Sequence, residues 1–170
     1  FFPKSKRNIT IEQAKEIMQA LDPSIKKTAV VVKPSIKQIR QIEAAGFDYI
    51  QIHGMIDPAL FSQIRLPVLK AFNVKDMDTI ADYRLDKNVA GYVFDAHEPG
   101  SGKSFDWSML SDIPRDNKLF FLAGGISADN VKEAIKKLSP DGIDVSTGVE
   151  YNASNKTGKD PQKIEEFVRI

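Results

Sequence analysis

Apolar residues fall along this chain in two alternating rhythms: short continuous runs, and stripes at helical spacing. Thr10-Ile11-Glu12-Gln13 is a capping-box pattern, and Ala14, Ile17, Met18 and Leu21 then recur as one helical face. Thr28–Val32 is an unbroken β-branched run, which predicts a strand buried on both faces. Ser35 can cap the next helix, with Ile36, Ile39 and Ile42 as its stripe and Gly46 suited to its C′ position. Tyr49–His53 reads as a strand. Asp57-Pro58 opens a short helix through Leu60, Phe61 and Ile64, with proline at the favoured first position. Val68–Phe72 is the third strand, and a helix around Met77, Ile80 and Ala81 follows.

The second half repeats the alternation. Gly91–Asp95 is a strand that carries a carboxylate to its carboxyl end, and Leu119–Leu122 is another. A helix capped by Ser127 presents Val131, Ala134, Ile135 and Leu138. Ile143–Val145 forms the last strand, and Asp160-Pro161 starts a terminal helix bearing Ile164, Phe167 and Val168. No composition shift interrupts the series, so residues 1–170 read as one domain.

Alternating strands and helices imply right-handed βαβ crossovers and a parallel sheet. An open doubly wound sheet gathers its ligand residues at one switch point, whereas a (β/α)8 barrel spreads them over many loops. Here the candidate polar residues run from Arg7 to Gly148, which favours the barrel. Six strands are visible, with Phe1-Phe2 as the tail of another, while a barrel needs eight. The expectation is an α/β barrel without its first βα unit and most of its second strand, roughly thirty residues.

Composition narrows the partners. The 170 residues carry 24 basic and 23 acidic side chains, a net charge of +1, which gives no electrostatic signature of nucleic acid or membrane. No apolar stretch has membrane-spanning length, and Phe1–Arg7 lacks the apolar core of a signal peptide. There is no cysteine, so disulfides and thiol nucleophiles are excluded, which is compatible with a cytoplasmic protein.

Chemistry concentrates after the strands. Asp95 is a turn cap or a catalyst on spacing alone, and the glycine-rich run Pro99–Trp107 follows it at once. Leu122-Ala123-Gly124-Gly125-Ile126 and Asp144-Val145-Ser146-Thr147-Gly148-Val149 place glycine amides after the last two strands. That is the pattern of a phosphate site at a helix N-terminus, against ordinary turns as the alternative. Gly102-Lys103-Ser104 is no triphosphate loop, because His97 stands where that motif needs glycine. His53 follows a strand and precedes Gly54, so it is a ligand contact or a packed polar residue; Gln51 lies two residues before it on the same strand face. His97, beside Glu98, reads as solvated, and Ser104 lacks a recognisable base. Arg7 is a carboxylate clamp or a surface charge. No cluster has metal-ligand spacing, so no metal is expected.

Taken together, Phe2–Arg7, Gln51-Ile52-His53-Gly54, Phe94-Asp95, the G-x-G-K-x-F-D-W loop at 100–107, Leu122–Gly125 and Asp144–Glu150 resemble the phosphoribosylanthranilate isomerases of tryptophan biosynthesis. The resemblance covers the whole chain in order and implies a phosphate-binding (β/α)8 barrel that works without a cofactor. It implies an Amadori rearrangement of a phosphorylated aminoaldose to the aminoketose. Asp95 would be the general acid at the furanose ring oxygen, and Arg7 would hold the anthranilate carboxylate. Gln51 and His53 would contact substrate, and Gly124, Gly125, Ser146, Thr147 and Gly148 would hold the phosphate. A monomer or homodimer is expected. The family's base is a cysteine on the first strand, in a Lys-Ile-Cys-Gly motif that this sequence does not contain. The expectation is therefore a partial chain, inactive as written. The rival readings are a barrel remnant that binds a phosphorylated ligand without turnover, and another phosphate-binding barrel such as indole-glycerol-phosphate synthase.

Overall fold

The structure, a computed structural model, describes residues 1–95, 107–113, 115–152 and 156–170, with the side chains of 74 and 75 left aside. The strands β1 (Thr28–Val32), β2 (Tyr49–His53), β3 (Val68–Asn73), β4 (Val89–Asp95), β5 (Leu119–Ala123) and β6 (Gly142–Ile143) form one sheet in chain order. Between or beside them lie α1 (Ile11–Ala20), α2 (Ile36–Ala45), α3 (Pro58–Phe61), α4 (Ile80–Arg84), α5 (Val131–Leu138) and α6 (Pro161–Val168). The pairings β1–β2, β2–β3 and β5–β6 are all parallel, as βαβ crossovers require. By internal packing the chain divides into two compact units, one of residues 1–72 and 78–91, the other of residues 73–77 and 92–170.

In the first unit, local signals act as the sequence says. Thr10 accepts from the Gln13 N–H while the Gln13 side chain accepts from the Thr10 N–H, closing the capping box. Ser35 accepts from Gln38, Asp57 from Ala59, and Gly46 ends α2 at φ 88°. The register Ala29↔Ile50↔Val68 and Val31↔Ile52↔Lys70 puts one face of the three strands in the core, where all but Lys70 are apolar. Lys70 is 2% exposed. Its ammonium donates to the Ala71 carbonyl and lies over the rings of Phe72 and Tyr83, at 4.5 and 5.0 Å, which compensates the buried charge.

Three expectations need correction here. β1 is not buried on both faces: Ala29 and Val31 are sealed, but Val30 is 43% exposed. As the first strand of the order, β1 has a neighbour on one side only, so its second face is covered from one side. Phe1-Phe2 is no strand, though the Phe1 amine donates to the Val30 carbonyl and its ring meets Phe47 edge-on. Along α1 only Ala14 is buried and Ile17 is exposed, because α1 packs narrowly, by its small residue.

In the second unit Phe94 stacks on Phe120 at 4.7 Å and lies near Tyr92, while Arg115 covers Phe120 from outside. The helix expected at Met77 starts as a 3-10 turn, Val74–Thr79, before α4 in the first unit. Ser127 does not cap α5 by its side chain. The Asn130 amide carbonyl takes the Ser127 N–H, and the helix begins after it at Val131. β6 is shorter than expected; Asp144 adds one bond, to Leu122 O, before the chain turns. α6 starts at Asp160-Pro161 as its cap predicts, but Ile164 and Val168 are exposed.

Candidate active-site residues

Asp95 ends β4, and strand alternation decides which way it faces. Tyr92 and Phe94 join the aromatic cluster with Phe120, so Val93 and Asp95 project to the opposite face. The carboxylate is half-buried there, at the carboxyl end of a parallel strand. The loop carrying Gly100, Gly102, Lys103, Ser104 and Asp106, with His97 and Glu98, lies outside the described residues. Trp107, at its end, is buried and starts a 3-10 turn, Trp107–Leu110.

The two glycine clusters of the second unit meet. A Cβ on Gly148 would stand 2.1 Å from the Ile126 carbonyl oxygen and 3.0 Å from Ser127 Cα, so only glycine permits this approach. Gly124 and Gly125 adopt φ 79° and 67°, the left-handed region that turns the chain sharply after β5. Asn130 fixes this turn from both ends: its Nδ2 donates to Gly125 O and its Oδ1 accepts from the Ser127 N–H. Nothing lies within 4 Å of the space a Gly125 side chain would take.

Opposite this turn, Thr147–Val149 forms a 3-10 turn whose first bonds run from Val149 N–H to Ser146 O and from Glu150 N–H to Thr147 O. The Thr147 and Gly148 N–H groups precede the first bonded amide and make no bond within the turn. Amides of this kind, next to a glycine turn, are suited to an anion.

In the first unit Gln51 and His53 share the face of β2 that bears Leu69 and Ala71 on β3. The Gln51 amide nitrogen is 2.9 Å from His53 Nε2. An amide nitrogen can only donate, so with the amide in this orientation Nε2 accepts and the ring proton is assigned to Nδ1. Gln51 is 7% exposed, and this bond satisfies it. Arg7 sits on the turn after Phe2-Pro3, where Ser5 N–H bonds Phe2 O and the Arg7 N–H bonds Ser5 Oγ; its side chain is exposed.

Sequence reasoning missed two lysines. Lys33, at the end of β1, takes φ 45° and lays its chain over Gly54, 3.4 Å from the position a Cβ would occupy. Its only sequence signal is its place after a strand. Lys159 reaches back to Ser146 and Glu150. Thirteen residues separate it from Ser146, so no local pattern could show this.

Comparison with known proteins agrees over the full length. The family model of N-(5'-phosphoribosyl)anthranilate (PRA) isomerase matches residues 1–170. The N-(5'-phosphoribosyl)anthranilate isomerase of Listeria welshimeri is 40% identical, over 99% of this chain and 83% of its own. That of Streptococcus gordonii is 39% identical, over 98% and 82%. The crystal structure of phosphoribosyl anthranilate isomerase from Thermotoga maritima superposes with a TM-score of 0.84 at 33% identity, over 99% of this chain and 83% of that one. A phosphoribosyl anthranilate isomerase in complex with reduced 1-(o-carboxyphenylamino)-1-deoxyribulose 5-phosphate gives 0.80 at 30%, over 99% and 82%. Strands in chain order in one sheet, glycine turns that meet beyond its last two strands, and a family match from the first residue to the last agree: this chain belongs to the PRA isomerase family, with the α/β fold of its (β/α)8 barrels.

Proposed function

We propose that the chain serves as an N-(5'-phosphoribosyl)anthranilate isomerase of tryptophan biosynthesis, with Asp95 as general acid and the two glycine turns as the phosphate site. The substrate is a phosphorylated aminosugar, and the reaction is an Amadori rearrangement. Protonation of the furanose ring oxygen by Asp95 opens the ring to a Schiff base. Removal of the C2′ proton gives an enolamine, which tautomerises to the ketone. Arg7 clamps the anthranilate carboxylate, and Gln51 and His53 contact substrate. Gly124, Gly125, Ser146, Thr147 and Gly148 take the phosphate through backbone N–H groups and the Ser146 and Thr147 hydroxyls. The observation that carries this reading is the approach of Gly148 to Ile126 O, which sets two amide-bearing turns side by side. A cytoplasmic monomer or homodimer fits the reading; no helix among the described residues is long and apolar enough to cross a membrane.

The resemblance assigns C2′ proton removal to a cysteine, and these residues contain none. A second reading is a barrel that holds a phosphorylated ligand without turnover. The deciding experiment follows the loss of phosphoribosylanthranilate fluorescence with this chain alone, and with the chain joined to the cysteine-bearing N-terminal segment of a relative. Turnover only in the joined protein, falling about 100- to 10,000-fold in Asp95→Asn, supports the isomerase assignment. Undiminished turnover in Asp95→Asn removes Asp95 from the mechanism. No turnover in either form, with phosphate still bound, supports the second reading.

A further inference from the structure

Lys159 is the best-connected side chain around the 146–150 turn. Its Nζ lies 2.8 Å from Ser146 O, 2.8 Å from Ser146 Oγ and 2.9 Å from Glu150 Oε1. An ammonium has three protons, so these acceptors use them all. The backbone brings Lys159 there: Glu150 and Lys159 form an antiparallel bridge, Tyr151 N–H bonds Gly158 O, and Asp160 N–H bonds Val149 O. Lys163, on α6, adds a second clasp, donating to Glu150 O and Asn152 Oδ1.

We propose that Lys159 is a positioning residue of the phosphate site, acting through Ser146 and not by touching the phosphate. This rests on the phosphate reading of the glycine turns given above. Two consequences follow from its bonds. Ser146 Oγ accepts from a cation, so its own proton stays available and is aimed away from Lys159, as a donor to an anion. Ser146 O is held by Lys159 while it also accepts from Val149 N–H. This fixes the 3-10 turn and with it the direction of the Thr147 and Gly148 amides. Glu150 completes the device by holding the ammonium on its third side.

The test titrates inorganic phosphate calorimetrically into the full chain and into K159M, K159R and K156Q. Lys156 faces the Tyr151 ring, so K156Q removes the same charge without touching Ser146. The expected result is phosphate affinity about 10-fold weaker in K159M, as for lost second-layer partners of a bound ion, with K159R close to the parent and K156Q unchanged. Rescue by arginine separates positioning from a fold defect. Unaltered binding in K159M, equal weakening in K156Q, or failure of K159R to recover binding overturns the role of Lys159. No phosphate binding by the parent chain overturns the phosphate-site reading itself, and this role with it.

Discussion

At the scale of single residues, Gly148 and Gly125 separate two reasons for being glycine. Gly148 has no positive φ; it is glycine because the Ile126 carbonyl stands where a Cβ would be, at 2.1 Å. Gly125 has open space around it but φ 67°. Gly125→Ala should therefore cost only the left-handed penalty, about 1–2 kcal/mol. Gly148→Ala has to drive two backbones apart, adding an overpacking cost of about 1–3 kcal/mol and spoiling phosphate binding as well. Urea unfolding midpoints measure the first effect and phosphate titration the second. A Gly148→Ala protein that binds phosphate like the parent would show that the turns need not touch. Both glycine clusters are legible in the sequence as turns after the last two strands, but their contact is not, because it joins residues some twenty positions apart through the parallel pairing of β5 with β6. Lys159 is hidden because an antiparallel bridge with Glu150, and not a local pattern, brings it to Ser146.

At the scale of elements, caps and registers are the readable part. The bounds of β1 and β2 coincide with their apolar runs, and Thr10, Ser35, Asp57 and Asp160 all cap where their positions before helical stripes say they should. Ser127 makes no side-chain cap: the helix begins at Val131 after Asn130, whose Oδ1 accepts from the Ser127 N–H instead of from the helix. Thr10→Ala removes one half of a reciprocal cap on α1 and should lower stability by about 1 kcal/mol in denaturant melts. Asp48 joins β1 to β2: its carboxylate accepts from Lys27 N–H at 2.9 Å and from Lys26 Nζ at 3.1 Å. Chiefly the Lys27 N–H, with help from Lys26, holds its pKa down at about 2, below the ordinary 3.8. A depressed carboxylate stabilises the fold fully above the unfolded value and loses that contribution as pH falls through the folded one. The stability gap between the parent and Asp48→Asn should therefore be constant from neutral pH down towards 3.8 and close as pH drops to about 2. A gap that persists unchanged in acid would assign it to packing instead of charge.

At the scale of the whole molecule, surface chemistry and charge combine. Burial is what the apolar pattern could not show: Ile17 (52% exposed), Val168 (77%) and Leu85 (94%) lie in or at the end of helices, yet face outward. Periodicity identifies a stripe, but only the packing partner decides whether it is covered. With 24 basic against 23 acidic side chains and an isoelectric point near 8.0, little net charge opposes contact between copies at mildly alkaline pH. Self-association should accordingly be strongest near pH 8.0, at the isoelectric point, and weaken as net charge grows on either side of it, as read by the concentration dependence of light scattering. An apolar attraction would be strengthened by sulfate, whereas attraction between opposite charges would be screened. Val168→Lys and Leu85→Lys each replace an exposed apolar group by a charge without entering the core. Both variants should scatter less than the parent at pH 8.0, and an unchanged signal in the pair together would place the attraction elsewhere on the surface.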